Sequence, residues 1–299
     1  MSTIAVEDGF NIAVLLPSHN QAATIGAAVR GFAEALPGAQ IYVFDNNSTD
    51  DTAREATRAG AHVRREARQG KGNVVRRMFA DIEADIYVLA DGCGAYDPAD
   101  APSLVNALIT ERADMAVGTR ADGPGGEAIG SRLLDRLYRR CTGVSFADVL
   151  SGYRAFTRRF VKSFPAISNG FAIEAELSVH AGQLMVPVAE IELNDAPRQD
   201  GPARKAAGDG MRVLKTLAML MKETRPFAFY SAVAMLFWIA GLFLALPAIG
   251  EQRLAVAASA LFIVGFVIAA CGLVLDSLAR ARVEQKRILF LTVPALGAQ

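Results

Sequence analysis

The residues best suited to chemistry lie in the first 120 positions, where short apolar runs end in polar side chains. The run YVLA stops at Asp91, for example, and the run IYVF stops at Asp45. A carboxylate in such a place can bind a divalent cation or accept hydrogen bonds from hydroxyl groups. An arginine can grip a phosphate through its planar fork. The positions of this kind are Pro17 to Asn20, Asp45 to Asn47, Asp91 and Arg120.

The surrounding pattern alternates strand and helix signals. Strand-like runs occupy residues 12–17, 40–45, 61–65, 85–91 and 114–120. Longer stretches with helical spacing lie between them, such as residues 21–36, 51–60 and 71–84. This alternation predicts an α/β fold with a mainly parallel sheet and helices on both faces. Ligands bind at the carboxyl ends of the strands in such sheets, which is where the polar residues fall.

Several familiar motifs are absent from the sequence. The first strand-like run continues into PSHNQAAT, which lacks the GxGxxG turn of a dinucleotide-binding dehydrogenase. RQGKGN around Lys71 is not a Walker A loop, and neither GxSxG nor HExxH occurs. Basic and acidic residues number 31 each, so the charge gives no indication of a nucleic-acid partner. Three separated cysteines suggest free thiols in a reducing compartment.

The C-terminal part of the chain predicts a transmembrane hairpin. Residues 227–249 and 254–275 are uncharged runs, each long enough as a helix to cross a hydrocarbon core of about 30 Å. Residues 250–253 leave room only for a tight turn between them. The alternative is a pair of buried core helices. Residues 208–226 predict an amphipathic helix that lies in the headgroup plane or packs on its own domain.

Basic residues beside these runs set the predicted orientation. Lys222 and Arg225 precede the first run, and Arg280 and Arg282 follow the second. Positive flanks stay on the cytoplasmic side, which predicts a multi-pass protein of the inner membrane with its N-terminal domain in the cytoplasm. The N-terminus MSTIAVEDGF does not have the pattern of a signal peptide. The predicted parts are a domain at 1–207, a juxtamembrane helix at 208–226, a hairpin at 227–278 and a tail at 279–299.

Seven segments give the chain a family resemblance. In order they are VLLPSHNQAATIGAAV, VFDNNSTDDTAREA, QGKGNVVRRMF, DGCGAYDP, VGTR, DVLSGYRAF and NGFAIEAEL. Over residues 10–215 the chain resembles family 2 glycosyltransferases of the polyprenyl-phosphate type, which include dolichyl-phosphate mannose synthases. The resemblance implies a GT-A fold. It also implies that a hexose moves from a nucleotide sugar, of the GDP-mannose or UDP-glucose type, to a polyprenyl phosphate with inversion at the anomeric carbon.

The resemblance also implies roles for individual residues. The catalytic residues would be Asp91, Arg120, Arg132 and Asp148, with Asp91 also on the metal. The nucleotide-sugar contacts would be Pro17, His19, Gln21, Asp45, Arg198 and Lys205. A metal on carboxylates would meet the charge that grows on the diphosphate leaving group. The arginines would hold the lipid phosphate, which is largely dianionic and needs no general base.

Some of these roles have simpler alternatives. Asp45 could close an Asx turn, and His19 could be an ordinary loop histidine. Arg132 could be a solvated helix residue. Arg154 is expected to support the lipid-phosphate arginines. Residues 194–210 are expected to form a mobile loop over the site, or else a plain linker.

Cys93 departs from the family pattern, which is Asp-x-Asp where this chain has Asp91-Gly92-Cys93. A thiol is a poor ligand for Mg²⁺ or Mn²⁺, so the second carboxylate is lost. Asp91 and the diphosphate could still hold the metal, or basic side chains could supply the charge without it. The alternative function is a non-catalytic sugar-nucleotide-binding or scaffold protein. A homo-oligomer is also possible, because the glycines of the apolar runs would allow close helix contact.

Overall fold

Seven strands form one sheet in the part of the chain that the structure describes. The computed structural model describes residues 9–120, 151–166, 173–193, 221–222, 225–246 and 252–297. At Arg120 it describes the backbone and not the side chain. The strands are β1 (Ile12–Ser18), β2 (Gln40–Asp45), β3 (His62–Arg65), β4 (Ile86–Leu89), β5 (Met115–Arg120), β6 (Arg154–Thr157) and β7 (Val188–Leu193). Their order is β3-β2-β1-β4-β6-β5-β7. Only β6 among them runs antiparallel to its neighbours, which confirms the predicted mainly parallel sheet.

Helices cover both faces of this sheet. They are α1 (Ile25–Ala35), α2 (Thr52–Arg58), α3 (Lys71–Asp81), α4 (Ala101–Thr110), α5 (Arg158–Ser163) and α6 (Ile173–Leu184). Ile12, Val14 and Leu16 of β1 pack into one core with apolar residues of α1 and α4. Ala13 and Leu15 point to the other face and are equally buried. β1 therefore lies in the middle of three layers.

The second face holds an aromatic cluster around Phe79 of α3. Its ring makes edge contacts with Tyr87 of β4, Phe156 of β6 and Phe164, at centroid separations of 6.3, 5.9 and 6.0 Å. Pairs in this geometry contribute about 0.5–1.5 kcal/mol each beyond the area they bury. The cluster fixes α3 against β4 and β6, and it thereby fixes Lys71 at the start of α3.

The chain forms two compact units. One comprises residues 1–131, 144–204 and 286–299, and the other comprises residues 132–143 and 205–285. Within the first unit, Lys286 Nζ donates to Gln183 Oε1 of α6 at 2.8 Å. The Arg159 guanidinium of α5 lies 4.6 Å from the centre of the Phe290 ring. The C-terminal segment is thus packed on the domain that carries the sheet.

Two long apolar helices belong to the C-terminal part. They are α7 (Pro226–Ala245) and α8 (Gln252–Thr292), of 20 and 41 residues. By length and composition both could cross a membrane, and most of their apolar side chains are exposed. A Cβ built at Gly265 would lie 2.3 Å from Trp238 Nε1, and one at Gly272 would lie 2.7 Å from Tyr230 Cβ. These glycines let α7 and α8 approach closely, as a hairpin requires.

Most of the predicted juxtamembrane helix at 208–226 lies outside the described residues, and so does the turn that would join α7 to α8. The predicted boundary between residues 207 and 208 falls there as well.

Candidate functional site

The carboxyl ends of β1, β2 and β4 bring the sequence-predicted polar residues to one edge of the sheet. Ser18 pairs with Asp45 across β1 and β2, and the amide of Asn46 donates to the Ser18 carbonyl at 2.9 Å. On the other side of β1, the amide of Ala90 donates to the Leu15 carbonyl at 3.2 Å. Asp91 is the next residue. Asp45 is therefore the last residue of one strand that flanks β1, and Asp91 lies just after the other.

Side-chain hydrogen bonds join the loop after β1 to the loop after β2. Asn20 Oδ1 accepts from the backbone amide of Thr49 at 2.8 Å. The backbone amide of Asn20 donates to Ser48 Oγ at 2.9 Å. The amide of Gln21 donates to Thr52 Oγ1 at 2.7 Å. Asn20 has a φ of 52°, a left-handed conformation that asparagine tolerates better than most residues. The two loops form one rigid wall of the edge.

Asp45 and His19 both have partners in this wall. The Asp45 carboxylate is buried and accepts from the backbone amide of Ser48, three residues further on, at 3.2 and 3.4 Å, whereas an Asx turn would use the amide two residues on. His19 Nδ1 lies 2.8 Å from the Asn46 carbonyl, which can only accept. The ring proton therefore sits on Nδ1. Nε2 is the acceptor nitrogen of this exposed side chain, and the amide nitrogens Asn20 Nδ2 and Gln69 Nε2 each lie 3.5 Å from it.

Pro17 and Gln21 lie deeper than His19. Pro17 is part of β1 and is buried. Gln21 is half-buried, and within the described residues its Oε1 has no hydrogen-bond partner. A Cβ built at Gly92, directly after Asp91, would lie 2.6 Å from that oxygen. Gln21 thus packs on the backbone beside Asp91.

Asp91 belongs to a charged cluster with Lys71 and Glu174. Lys71 is the first residue of α3, and Glu174 is in the first turn of α6. Lys71 Nζ donates to Asp91 Oδ1 at 2.5 Å and to Glu174 Oε1 at 2.7 Å. The side chains of Lys71 and Glu174 are 9% and 8% exposed, whereas that of Asp91 is 30% exposed. The cluster therefore reaches solvent through Asp91.

The two carboxylates keep Lys71 charged. Burial lowers the pKa of the Lys71 ammonium, but the charges and hydrogen bonds of Asp91 and Glu174 outweigh it, and the pKa is raised above its ordinary value. Two negative charges and one positive charge leave the cluster with one net negative charge.

Tyr96 and Gly152 close the cluster on one side. The amide of Gly152 donates to Tyr96 Oη at 2.9 Å. A Cβ at position 152 would lie 3.3 Å from Asp91 Oδ2 and 3.4 Å from Lys71 Nζ. Such distances are shorter than most real Cβ contacts, so glycine provides room here for the charged groups.

The sequence of this edge and its supporting core matches a known family. Residues 13–164 match the model described as Glycosyl transferase family 2, and this segment is more than half of the chain. The chain belongs to glycosyl transferase family 2. The chain is 33% identical to Glycosyltransferase AglJ of Haloferax volcanii over 248 residues, which are 79% of this chain and 80% of that protein. It is 50% identical to Protein RfbJ of Shigella flexneri over 113 residues, 38% of this chain and 88% of that one.

Solved structures support the same assignment for this family 2 glycosyltransferase. Glucosyl-3-phosphoglycerate synthase from Mycobacterium tuberculosis, in complex with Mg²⁺ and uridine diphosphate, superimposes with a TM-score of 0.61 at 27% sequence identity. The match covers 72% of this chain and 81% of that one. Another structure of the same enzyme contains Mn²⁺, uridine diphosphate and phosphoglyceric acid. The expected GT-A-like fold is confirmed.

The described residues offer a divalent metal the partly exposed carboxylate of Asp91. Lys71 takes Oδ1 of that carboxylate and leaves Oδ2. Cys93 is an exposed free thiol and offers a hard cation little. Residues 9–120 and the other described segments contain no group of three or more His, Cys, Asp and Glu side chains that could hold a metal. The remaining ligands would have to come from a diphosphate and water.

Several predicted site residues cannot be placed. Arg132, Asp148, Arg198 and Lys205 lie outside the described residues. The backbone of Arg120 ends β5 and pairs with Leu193 of β7.

Arg154 is a fully buried residue of β6. Its Nε donates to the Ser151 carbonyl at 2.8 Å, and one terminal nitrogen lies 3.5 Å from Met115 Sδ. The side chain is therefore a core group, and its support of Arg120 and Arg132 stays a prediction because the side chains of those two residues are not described.

Lys71 and Glu174 are the residues that the sequence analysis missed. Both occur in segments that carry the family resemblance, QGKGN and NGFAIEAEL, yet neither received a role. A signal was available, since Glu174 follows the apolar residues Phe171 to Ile173, and a charge in an apolar stretch needs a partner if it is buried.

Proposed function

We propose that this chain is an inverting glycosyltransferase that moves a hexose from a nucleotide sugar to a polyprenyl phosphate at the inner leaflet of the membrane. The observation that carries the proposal is a family 2 domain, with Asp91 at the carboxyl end of its β4 strand, in the same chain as two helices apolar enough to cross a bilayer. The relatives support sugar transfer in glycan synthesis, since one of them is named a glycan biosynthesis hexosyltransferase.

The donor would bind at the edge formed by β1, β2 and β4. Uridine diphosphate is bound in two of the similar solved structures, which supports a UDP-sugar, and a GDP-sugar such as GDP-mannose is the other candidate. His19 presents an acceptor nitrogen from the loop wall, and Pro17 and Gln21 shape the floor beneath it. Asp45 and Asp91 would face the hydroxyl groups and the diphosphate. We infer that a Mg²⁺ or Mn²⁺ ion on Asp91, when bound, neutralises the leaving diphosphate.

The acceptor phosphate needs no base to become a nucleophile. One of its oxygens would attack the anomeric carbon from the face opposite the diphosphate. The bond from that carbon to the diphosphate oxygen breaks, and the nucleoside diphosphate leaves with the electron pair. Arg120 and Arg132 would hold the acceptor phosphate by paired hydrogen bonds. Asp148 would orient the acceptor or the sugar.

A basic loop would complete the site. Arg198 and Lys205 would close over the diphosphate, add positive charge and exclude water that could otherwise accept the sugar.

The membrane location rests on α7 and α8. The basic residues Lys222 and Arg225 stand before α7, and Arg280 and Arg282 follow the apolar part of α8. This distribution favours a multi-pass protein of the inner membrane, with residues 1–207 as a cytoplasmic domain and the hairpin at 227–278. A lipid acceptor would then be delivered to the same side of the bilayer as the soluble donor.

A second candidate function follows from the metal side of the site. Cys93 replaces a carboxylate, and Lys71 already holds one oxygen of Asp91. These two features favour a protein that binds a sugar nucleotide without turning it over. Such a protein would serve as a partner or scaffold, and the hairpin would anchor it.

A donor and acceptor panel separates the two functions. Full-length protein in membranes would receive radiolabelled UDP-glucose or GDP-mannose with a short polyprenyl phosphate, with phosphoglyceric acid as a soluble alternative acceptor. Each mixture would be run with Mn²⁺ and with a chelator. We expect labelled lipid from the polyprenyl phosphate, and loss of product in Asp91→Ala and Arg132→Ala. The matched control is Asp51→Ala, an exposed aspartate paired with Arg54.

The possible results are distinct. Labelled phosphoglyceric acid without labelled lipid would refute the lipid acceptor. Donor binding without any product would favour the non-catalytic function.

A further inference from the structure

The Lys71 cluster is built from three separate elements. Lys71 starts α3, Asp91 follows β4, and Glu174 lies at the start of α6. Residues 71 and 174 are far apart in sequence, yet Nζ and Oε1 are 2.7 Å apart. An ion pair of this kind at a protein surface contributes little, but here two of the three side chains are more than nine-tenths buried. The contact is therefore a fixed part of the site.

Glu174 holds Lys71 in a way that directs it toward Asp91. Its Oε1 binds the ammonium, while within the described residues its Oε2 is buried with no hydrogen-bond partner. A buried carboxylate with an unused oxygen carries a desolvation cost that packing alone does not repay. The ammonium cannot leave Glu174 without exposing that charge to an apolar interior. The buried Glu174 carboxylate thus restrains the Lys71 ammonium, and Asp91 is the member of the cluster that faces solvent.

We propose that Lys71 is a positioning residue for Asp91, and that its ammonium determines how strongly the site attracts a divalent cation. The inference rests on the donor-site role proposed for Asp91. Lys71 occupies Oδ1, and Oδ2 lies beside Gly152, where a Cβ would be 3.3 Å from it. With Lys71 present the cluster has one net negative charge, and without it Asp91 would lose the positive charge that lies nearest its carboxylate. Lys71 therefore has two roles in this proposal. It holds the Asp91 carboxylate in place, and its positive charge weakens the attraction of that carboxylate for a divalent cation.

Binding of Mn²⁺ alone tests this inference without any sugar donor or acceptor. Free Mn²⁺ would be measured by electron paramagnetic resonance against the purified full chain in detergent. Lys71→Met, which keeps the length of the side chain and removes its charge, should bind Mn²⁺ at least about 10-fold more tightly than the wild type at pH 8. Lys71→Arg should stay close to the wild type. Adding Asp91→Asn to Lys71→Met should remove the gain.

The matched control is Lys162→Met. Lys162 is also a partly buried lysine paired with a glutamate, Glu83, at 2.7 Å, and it is not part of the Asp91 cluster. Its removal should leave Mn²⁺ affinity unchanged. Equal affinity in wild type and Lys71→Met would overturn the inference, and so would a gain that persists without Asp91.

Donor kinetics test the positioning role in a second way. With whichever of UDP-glucose and GDP-mannose the wild type turns over, Asp91→Asn and Lys71→Met should each lower kcat/KM by about 100-fold. The double variant should be no slower than Asp91→Asn alone, because Lys71 acts only through the Asp91 carboxylate. Losses that multiply in the double variant would show that Lys71 acts independently, which contradicts the inference.

Two further measures keep the test decisive. If Lys71→Met does not fold, as judged by thermal unfolding, the charge-balanced Lys71→Met with Glu174→Gln replaces it in the kinetic comparison. If the wild type turns over neither donor, the proposed transferase activity fails, while the Mn²⁺ measurements still decide the role of Lys71.

Discussion

His180 is buried in helix α6, and protonating it should destabilise the fold. Its ring makes edge contacts with Phe160 and Phe164, with centroids 5.1 and 5.3 Å away. Nε2 lies 3.0 Å from Ser163 Oγ, whose own proton is donated to the Phe160 carbonyl at 2.9 Å. Ser163 must therefore accept, which puts the imidazole proton on Nε2. Nδ1 has no hydrogen-bond partner in the described part of the chain, so a second proton would find no acceptor there.

The size of the effect follows from the pKa of this imidazole. Burial, together with a smaller effect from the positive charge of Lys286, lowers the pKa of His180 from an ordinary value of 6.5 to about 3. Between these values the unfolded chain binds more protons than the folded one, so stability rises with pH. The contribution is complete above pH 6.5 and is lost as the pH falls toward 3. At pH 5 the loss is about 2 kcal/mol, because each pKa unit corresponds to about 1.36 kcal/mol.

Urea unfolding of the full chain in detergent micelles measures this contribution. The free energy of unfolding would be followed by the near-ultraviolet circular dichroism of the tyrosines at pH 7.5 and pH 5. His180→Leu should lose about 2 kcal/mol less than the wild type between these two values. His62→Leu is the matched control, since His62 is exposed beside Tyr42 and should leave the acid loss unchanged. An equal acid loss in wild type and His180→Leu would refute the reasoning.

Three further predictions concern the core and the site. Asp114→Asn should lower the free energy of unfolding in urea by about 3–5 kcal/mol, because the buried carboxylate pairs with Arg159 and the change leaves that guanidinium without its charge partner. Gly152→Ala should lower sugar-nucleotide turnover by about 10-fold, with the urea midpoint little changed, because its methyl group would press on Asp91. Cys93→Asp should tighten Mn²⁺ binding by about 10-fold in titrations and make turnover more sensitive to a chelator, because it restores a carboxylate. The reasoning would be contradicted by an unchanged free energy of unfolding in Asp114→Asn, by unchanged turnover in Gly152→Ala, or by unchanged Mn²⁺ affinity in Cys93→Asp.

The parallel part of the sheet could be predicted because its signal is local. β1, β2 and β4 are apolar runs that end in polar residues, and each alternates with a stretch of helical spacing. The place of β6 could not be predicted in the same way. It has four residues and lies between β4 and β5 although it follows both in sequence. Its position depends on pairing with strands that are distant in the chain, and no local pattern encodes that choice.

In the candidate site, too, the residues with a local signal could be predicted and their distant partners could not. Asp45 and Asp91 were found because a strand end is visible in the sequence, and His19 was found because it follows one. The partners of Asp91 were missed because both are distant from it in sequence. Lys71 lies 20 residues before it, at the start of α3, and Glu174 lies more than 80 residues after it. A sequence pattern can show that a charge needs a partner, whereas only the folded chain shows which partner it has.

Cys93 and Lys71 act on the site in the same direction. A second aspartate at position 93 would raise the negative charge beside the proposed diphosphate site, and a cluster without Lys71 would raise it as well. With a thiol in one place and an ammonium in the other, we infer that this chain attracts a divalent cation less strongly through its own side chains. The diphosphate still needs positive charge as it leaves. In the proposed reaction that charge would therefore come more from a metal that arrives with the substrate, and from Arg198 and Lys205, than from a cation bound by Asp91 alone.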